Sequence, residues 1–384
     1  MQGEIIIDRA FKIRQVNCDM KIAIVHEWLT VYGGSERVVE ALHQLYPDAP
    51  IYCLVYDEAR MPERFKNYDI RTTFLQRVPM AKKHYQLFLP LMPYAYEQLD
   101  LTEYDVVITS SSSCSKGVIT RSDALNICYC YTPMRYAWEF YYEYVHNFGK
   151  LKKLLIGWQM HHIRMWDRLA ADRVDYFVAI SNYIQQRIGK YYRRESEVIF
   201  PPVNTHLYAP KPKEDFYLIV SRLVSYKRVD LAVQAFNALG LPLVIIGDGG
   251  EMDTLRKMAK SNVQLLGRLS DEEIADYYSR AKAFVFCGEE DFGITPVEAQ
   301  AAGTPVIAYG RGGVLDTVVD GKSGIYFHEP TAESLMAAVQ QFEEQGVAYT
   351  AEELQAHAEK FSLKRFQQEI DVFIRSCADK HGIR

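Results

Sequence analysis

From Lys21 onward the chain alternates short apolar runs with longer amphipathic stretches, and prolines break the series once near its middle. That alternation is the signature of parallel sheets covered by helices. In the first half the strand candidates are 22–25, 51–55, 70–75, 106–109, 126–131 and 176–180, with helices at 36–45, 83–98, about 151–173 and 183–191. Phe200-Pro201-Pro202-Val203 and, soon after, Pro210-Lys211-Pro212 mark a linker, since proline fixes φ and removes a donor. The pattern then restarts, with strands at 217–220, 243–246, 263–266, 284–287, 306–309 and 324–327 and helices at 229–239, 251–259, 271–280, 296–302 and 333–344. Two doubly wound α/β domains follow, as 384 residues exceed the roughly 250 to 300 at which single cores stop growing. The expected division is an N-terminal extension 1–19, a first domain 20–203, a linker 204–215, a second domain 216–362 and a last amphipathic helix within 363–384.

Composition narrows the class. The 44 basic and 49 acidic residues leave a net charge of −5, which gives nucleic acid no electrostatic footprint. Seven cysteines (18, 53, 114, 128, 130, 287 and 377) include no CxxC pair and read as reduced thiols of a cytoplasmic protein. No apolar run approaches the ~18 to 20 residues of a membrane span, and residues 1–19 lack the apolar stretch of a secretory signal. Because Met20-Lys21-Ile22 reads as a natural first strand, that lead is an upstream start or an added edge element. Residues 81–92 and 150–158 mix cations with apolar groups and suit peripheral contact with a membrane surface. The preferred reading is that their apolar faces pack inward while the lysines meet water.

Chemistry concentrates in the second half. Glu290 and Glu298 flank Asp291-Phe292-Gly293-Ile294-Thr295-Pro296-Val297, one carboxylate ending a strand and the other inside the helix after it. Both then face a cleft at the carboxyl end of a parallel strand, where open sheets bind ligands. Alternatively Thr295 and Glu298 form a capping box, and Glu298 merely satisfies a backbone N–H. Arg222 and Lys227 sit on a strand-to-helix turn, where two cations and a helix N-terminus suit a diphosphate; a solvated basic loop is the alternative. Glycine turns end three strands: Gly33-Gly34, Gly247-Asp248-Gly249-Gly250 and Gly310 with Gly312-Gly313. Together they suggest backbone closely approaching a phosphate or sugar. The departure from GxGxxG argues against a dinucleotide dehydrogenase. His161 and His162 point apart on a helix and read as surface groups, no metal motif appears, and the serines 110–113 read as a polar strand end.

With Gly33-Gly34 and Glu36, Arg222 with Lys227, Gly247-Asp248-Gly249, and Glu290 with Phe292-Gly293 and Glu298 in this order, the chain resembles glycosyltransferase family 4, the retaining enzymes of GT-B fold. The segments His26-Glu27-Trp28, 132–138 and 200–203 look like the mannosyltransferases of bacterial surface-polysaccharide assembly, which typically use GDP-mannose. The resemblance implies two Rossmann-like domains facing a central cleft, the first binding acceptor and the second the nucleotide-sugar donor. It also implies a last helix packing back on the first domain and no metal or other cofactor. By position it implies that Arg222 and Lys227 hold the diphosphate and Glu290 the sugar hydroxyls. Gly34 and Gly247 would line the donor site. Backbone N–H groups of Phe292, Gly293, Ile294 and Thr295 would meet sugar or phosphate, Glu298 the ribose and the turn at Arg268 the base.

The acceptor side would include His26 and Arg135, although Arg135 is also placed to pair with Glu139. Tyr131 stands where the family usually has a catalytic histidine that contacts the donor sugar. A phenol there can donate one hydrogen bond but does not become cationic at neutral pH; it is otherwise one more ring in a wall with Tyr129, Tyr136, Tyr141 and Tyr142. The implied reaction moves a hexosyl unit, mannose from GDP-mannose, onto a glycan or lipid-linked acceptor. Rival readings are a sugar-nucleotide epimerase, a glycosidase using both glutamates, and a non-catalytic sugar-nucleotide-binding protein.

Overall fold

The computed structural model describes residues 20–146 and 148–383, so the extension 1–19 and Cys18 lie outside the described residues. In the first domain seven parallel strands, β1 (Ile22–His26), β2 (Ile51–Cys53), β3 (Ile70–Thr72), β4 (Val106–Ser111), β5 (Leu125–Cys130), β6 (Tyr176–Ala179) and β7 (Ser196–Val198), lie in the order β3-β2-β1-β4-β5-β6-β7. Its helices are α1 (Gly34–Leu45), α2 (Met92–Glu97), α3 (Tyr141–Val145), α4 (Lys150–Asp172) and α5 (Asn182–Tyr192). The second sheet orders β10 (Val263–Gly267), β9 (Leu243–Ile246), β8 (Tyr217–Val220), β11 (Ala283–Phe286), β12 (Val306–Tyr309) and β13 (Gly324–Phe327), again all parallel. Around it lie α6 (Val229–Leu239), α7 (Met252–Met258), α8 (Asp271–Arg280), α9 (Ile294–Ala301), α10 (Val314–Thr317), α11 (Ala332–Gln345) and α12 (Ala351–Ala358). This is the two-domain, doubly wound GT-B architecture.

Alternation along the strands explains the layers. On β1, Ile22 and Ile24 face one apolar core and Ala23 and Val25 the other, because successive residues point to opposite faces. The last helix, α13 (Leu363–His381), buries Phe366, Ile370 and Ile374 in the first of these cores. Phe366 meets Tyr129 edge-on at 5.7 Å, and Asp371 accepts from the Tyr46 hydroxyl at 2.9 Å, so α13 lies on the first domain. Phe200, Phe292 and Phe361 form an aromatic triangle between the domains, with centroids 5.3–5.8 Å apart.

Several local expectations fail for identifiable reasons. The stretch 70–75 stops being a strand at Thr72, because Thr73 accepts from Leu75 N–H and starts a 3₁₀ turn. The stretch 83–98 is a 3₁₀ segment over Tyr85–Leu91 followed by the short α2, since Pro90 and Pro93 remove two donors. In the segment 150–158 the lysines do meet water, but Leu151, Leu154, Leu155 and Trp158 do not pack inward; they are exposed. The six described cysteines are free and buried, and among the described residues no helix is long and apolar enough to cross a membrane.

One buried ion pair fastens α4 to the first sheet. Lys116 pairs with Asp167, and both side chains are essentially inaccessible to water. Lys116 also donates to the Ser113 carbonyl at 2.7 Å, while Asp167 accepts from Trp138 Nε1 at 2.7 Å and from the Tyr192 hydroxyl. Burial works to strip the ammonium of its proton, but Asp167 outweighs it and holds the Lys116 pKa at about 12. Lys116→Met strands a buried carboxylate and is expected to cost about 3 to 5 kcal/mol in urea unfolding. A loss below about 1 kcal/mol would show that water reaches the pair.

Candidate active site

Strand order reverses between β1 and β4 in the first sheet and between β8 and β11 in the second. Crevices at such switch points, outside the carboxyl ends of the strands, are where open α/β sheets take ligands. Two of the sequence-predicted charges meet at the second of them. Lys227, on the 3₁₀ turn Ser225–Lys227 after β8, forms an ion pair with Glu290, beyond β11; the side chains are 15% and 22% exposed. Arg222 lies on the same β8–α6 connection and donates to the Tyr226 hydroxyl at 2.8 Å near the surface.

The glycine turns make room for neighbouring backbone. A Cβ on Gly247, whose φ is 135°, would sit 1.8 Å from the Ser221 carbonyl oxygen, so only glycine lets the β9 turn pass under the loop of Arg222. The Gly247 N–H is taken by the Gly267 carbonyl at 2.8 Å. A Cβ on Gly312, at φ 77°, would lie 2.3 Å from the Glu290 carbonyl oxygen, and Gly313 N–H donates to that same oxygen at 2.7 Å. The glycines thus seat the loops that carry Arg222 and Glu290. Gly34 approaches the other domain: a Cβ there would lie 2.8 Å from Ile294 Cδ1.

Helix α9 begins at Ile294 with Gly293 as N-cap, at φ 88°, and no side chain caps it. Its first N–H groups, on Ile294 and Thr295, therefore await another acceptor. The capping box does not form. Glu298 instead accepts from Arg37 Nη1 across the domain boundary at 3.0 Å and from the Tyr278 hydroxyl at 3.2 Å. Burial disfavours the Arg37 charge, but Glu298 prevails and raises its pKa. The Phe292 side chain belongs to the aromatic triangle between the domains.

Asp291 is a site residue that the sequence reading missed. Its carboxylate takes Arg135 at 2.5 Å and Arg187 of α5 at 3.1 Å, both from the first domain, and its carbonyl accepts from Ser181 Oγ. Arg135 therefore does not pair with Glu139, which contacts Arg187. Beside this clamp Asn182 holds Asp316, and the Tyr183 hydroxyl donates to Glu289 at 2.8 Å. The signal available in the sequence was adjacency to Glu290; its partners Arg135 and Arg187 lie more than a hundred positions away and gave none.

Tyr131 sits at the end of β5, edge-on to Tyr129 at 5.6 Å, whereas Tyr142 is 80% exposed and forms no wall with them. Burial raises the Tyr131 phenol well above the ordinary tyrosine range, so it stays protonated. Its proton goes to the Ser35 carbonyl at 3.1 Å, which makes Ser110 Oγ, 2.8 Å away, the donor to it. Ser110 Oγ also lies 2.9 Å from His26 Nδ1, and His26 Nε2 lies 3.3 Å from Glu36, whose other oxygen accepts from Gly33 N–H. Tyr131 and His26 so brace the Gly33-Gly34 turn.

The serines after β4 are more than a polar strand end. Backbone N–H groups from Ser112 to Ser115 and the hydroxyls of Ser111 and Ser115 all close on the buried Glu27 carboxylate. Arg268 is 83% exposed, 3.3 Å from Asp248. His161 and His162 are exposed, and among the described residues no three His, Cys, Asp or Glu side chains gather as a metal set would.

Comparison with known proteins follows the domain division. Residues 32–207 match the Glycosyltransferase Family 4 model and residues 208–361 that of Glycosyl transferases group 1. An uncharacterized glycosyltransferase of Methanocaldococcus jannaschii is 28% identical over 167 residues, 42% of this chain and 48% of the relative. The GDP-mannose-dependent alpha-(1-6)-phosphatidylinositol monomannoside mannosyltransferase of Mycobacterium tuberculosis is 28% identical over 204 residues, 44% and 53% of the two chains. The chain thus spans about half the length of the curated relatives it matches. Among solved structures, sucrose-phosphate synthase of Thermosynechococcus elongatus superposes with a TM-score of 0.72 at 15% identity, and Anabaena HepE in complex with UDP with 0.70 at 18%. Both pairings cover 93% of this chain and 100% of the other, and they establish the fold.

Asp291→Ala leaves the largely buried Arg135 without its carboxylate and Arg187 with Glu139 alone. It is expected to cost about 3 kcal/mol in urea unfolding and to enlarge the radius of gyration in small-angle scattering as the domains part. An unchanged radius would show that the remaining contacts, the aromatic triangle and Arg37–Glu298 among them, suffice to hold the domains together.

Proposed function

The chain belongs to the family 4 glycosyltransferases, and from that premise we propose that it transfers mannose from GDP-mannose, with retention, to a glycan or lipid-linked acceptor in cell-surface polysaccharide assembly. The observation that carries the reading is the Lys227–Glu290 pair beside Arg222 at a topological switch point. A diphosphate entering there offers Lys227 a stronger anion than a single carboxylate, and Arg222 a second charge-assisted contact. Glu290, released, is free to accept from sugar hydroxyls. The N–H groups that open α9 face the remaining negative charge, and Glu298 takes the ribose in place of Arg37. Arg268 lies on the turn proposed to border the base.

No metal is invoked in this scheme. Arg222 and Lys227 meet the charge that develops on the departing diphosphate, and the protein's main task is to hold acceptor hydroxyl and anomeric carbon in reach of each other. The acceptor hydroxyl attacks from the face the nucleotide leaves, which preserves configuration. His26, Tyr131 and Arg135 act from the first domain: His26 and Tyr131 fix the Gly33-Gly34 turn against Ile294, and Arg135 holds the loop of Glu290. The donor assignment is supported by relatives whose names specify GDP-mannose-dependent mannosyl transfer, including one of Corynebacterium glutamicum that is 36% identical over 107 residues.

Arg222→Ala and Lys227→Ala should each lower donor turnover on the order of 10² to 10³ fold while the chain stays folded by circular dichroism. Unchanged turnover in both would sink the reading. In a thermal-shift screen of GDP-, UDP-, ADP- and dTDP-sugars, GDP-mannose should raise the midpoint most, because a ligand of the native state stabilises it by mass action. A larger shift with a uridine donor would retire mannose.

A further inference from the structure

Helix α4 is apolar on two opposite faces. Its inner face buries Met160, Ile163, Ala170 and Ala171. Its outer face presents Leu151, Leu154, Leu155, Trp158, Met165 and Leu169, exposed by 72, 70, 61, 68, 43 and 61%. Spacings of three and four residues put these side chains on one stripe, and at 1.5 Å per residue it runs about 27 Å along the helix. Broken only where His162 stands edge-on to Trp158 at 4.4 Å, an exposed apolar stripe of that extent marks a contact site.

The charges say what it meets. Lys150, Lys152 and Lys153 occupy the first turn, where the helix dipole disfavours cations, and no acidic residue shares that turn. The one carboxylate between 150 and 171 is Asp167, buried against Lys116, so the outer face over that span is apolar and cationic. Leucine and tryptophan on one face, with lysines grouped at the N-terminal end of the stripe, is the composition of a helix that lies in a membrane interface. A second patch rests on the same core layer: Leu87, Leu91 and Tyr94 are 74, 47 and 55% exposed beside the exposed Lys82 and Lys83.

We propose that this face of the first domain docks on an anionic lipid bilayer, with α4 parallel to the surface, its stripe at the acyl boundary and its lysines among the headgroups. The docking rests on none of the donor contacts; it would bring the first domain to a surface from which a lipid-linked acceptor could be drawn. A second copy of the chain suits the stripe less well. Packed antiparallel on its own α4, a second copy would set Asp172 near the lysines, and that carboxylate is already paired with Arg168.

The test is co-sedimentation of the full chain with vesicles of phosphatidylcholine containing about one quarter phosphatidylglycerol, against phosphatidylcholine alone. Binding is expected only to the anionic vesicles, with a blue shift of tryptophan emission that Trp158→Phe removes. Leu154→Ser with Leu155→Ser and Trp158→Ser should weaken binding at least about tenfold, and Lys150→Glu with Lys153→Glu about as much, at unchanged melting temperature. Failure to sediment with anionic vesicles, or binding that neither set of substitutions reduces, would overturn the proposal. A dimer in analytical ultracentrifugation that the serine substitutions dissociate, without vesicle binding, would assign the stripe to a second copy instead.

Discussion

Three carboxylates on one loop and its helix, Glu290, Asp291 and Glu298, are each matched by a cation from elsewhere in the chain. Lys227 meets Glu290, Arg135 and Arg187 meet Asp291, and Arg37 meets Glu298. Largely buried charges persist only when paired, so this matching is a condition of the fold being closed at all. It also gives the groups proposed to bind the donor a partner in its absence, which keeps the cleft from carrying unpaired charge while it waits.

The glycines belong to the same constraint. For Lys227 to touch Glu290, the loops after β8 and β11 must lie close together, and each is supported from below by the turn of the next strand. Gly247 beneath Ser221 and Gly312 beneath Glu290 have no room for a Cβ. The turns that look in sequence like phosphate cradles do their work one layer down. They set the distance between the groups that bear charge.

Much of the fold was legible because its cause is local. Buried parallel strands read as apolar runs, the proline pairs mark the break between domains, and the carboxylates and cations fall at strand ends that topology brings to one rim. What stayed hidden depends on distant partners. Whether Thr295 and Glu298 cap a helix is decided by Arg37, which draws Glu298 into the cleft. Asp291 looked like a spacer because Arg135 and Arg187 reach it from another domain. The serines 110–113 looked like a strand end because nothing nearby announces that Ser111 to Ser113 close on Glu27 and Ser110 on Tyr131 and His26. On α4, the mixture of lysines and apolar residues was visible in sequence, and only packing distinguishes the apolar residues that meet the core from those that meet solvent.

Two of the three carboxylates take their cations from across the boundary between domains, and the third does not. Lys227 and Glu290 can exchange each other for a diphosphate and a sugar without moving the first domain. A ribose that takes Glu298 would cost the first domain its Arg37 tie, whereas none of the proposed donor contacts calls on Asp291. On the proposed reaction the Asp291 clamp acts as the pivot, and the Arg37 contact, traded for nucleotide, becomes the edge that opens. Donor recognition and the hold between the domains would then draw on one carboxylate, Glu298, with no separate element needed to couple them.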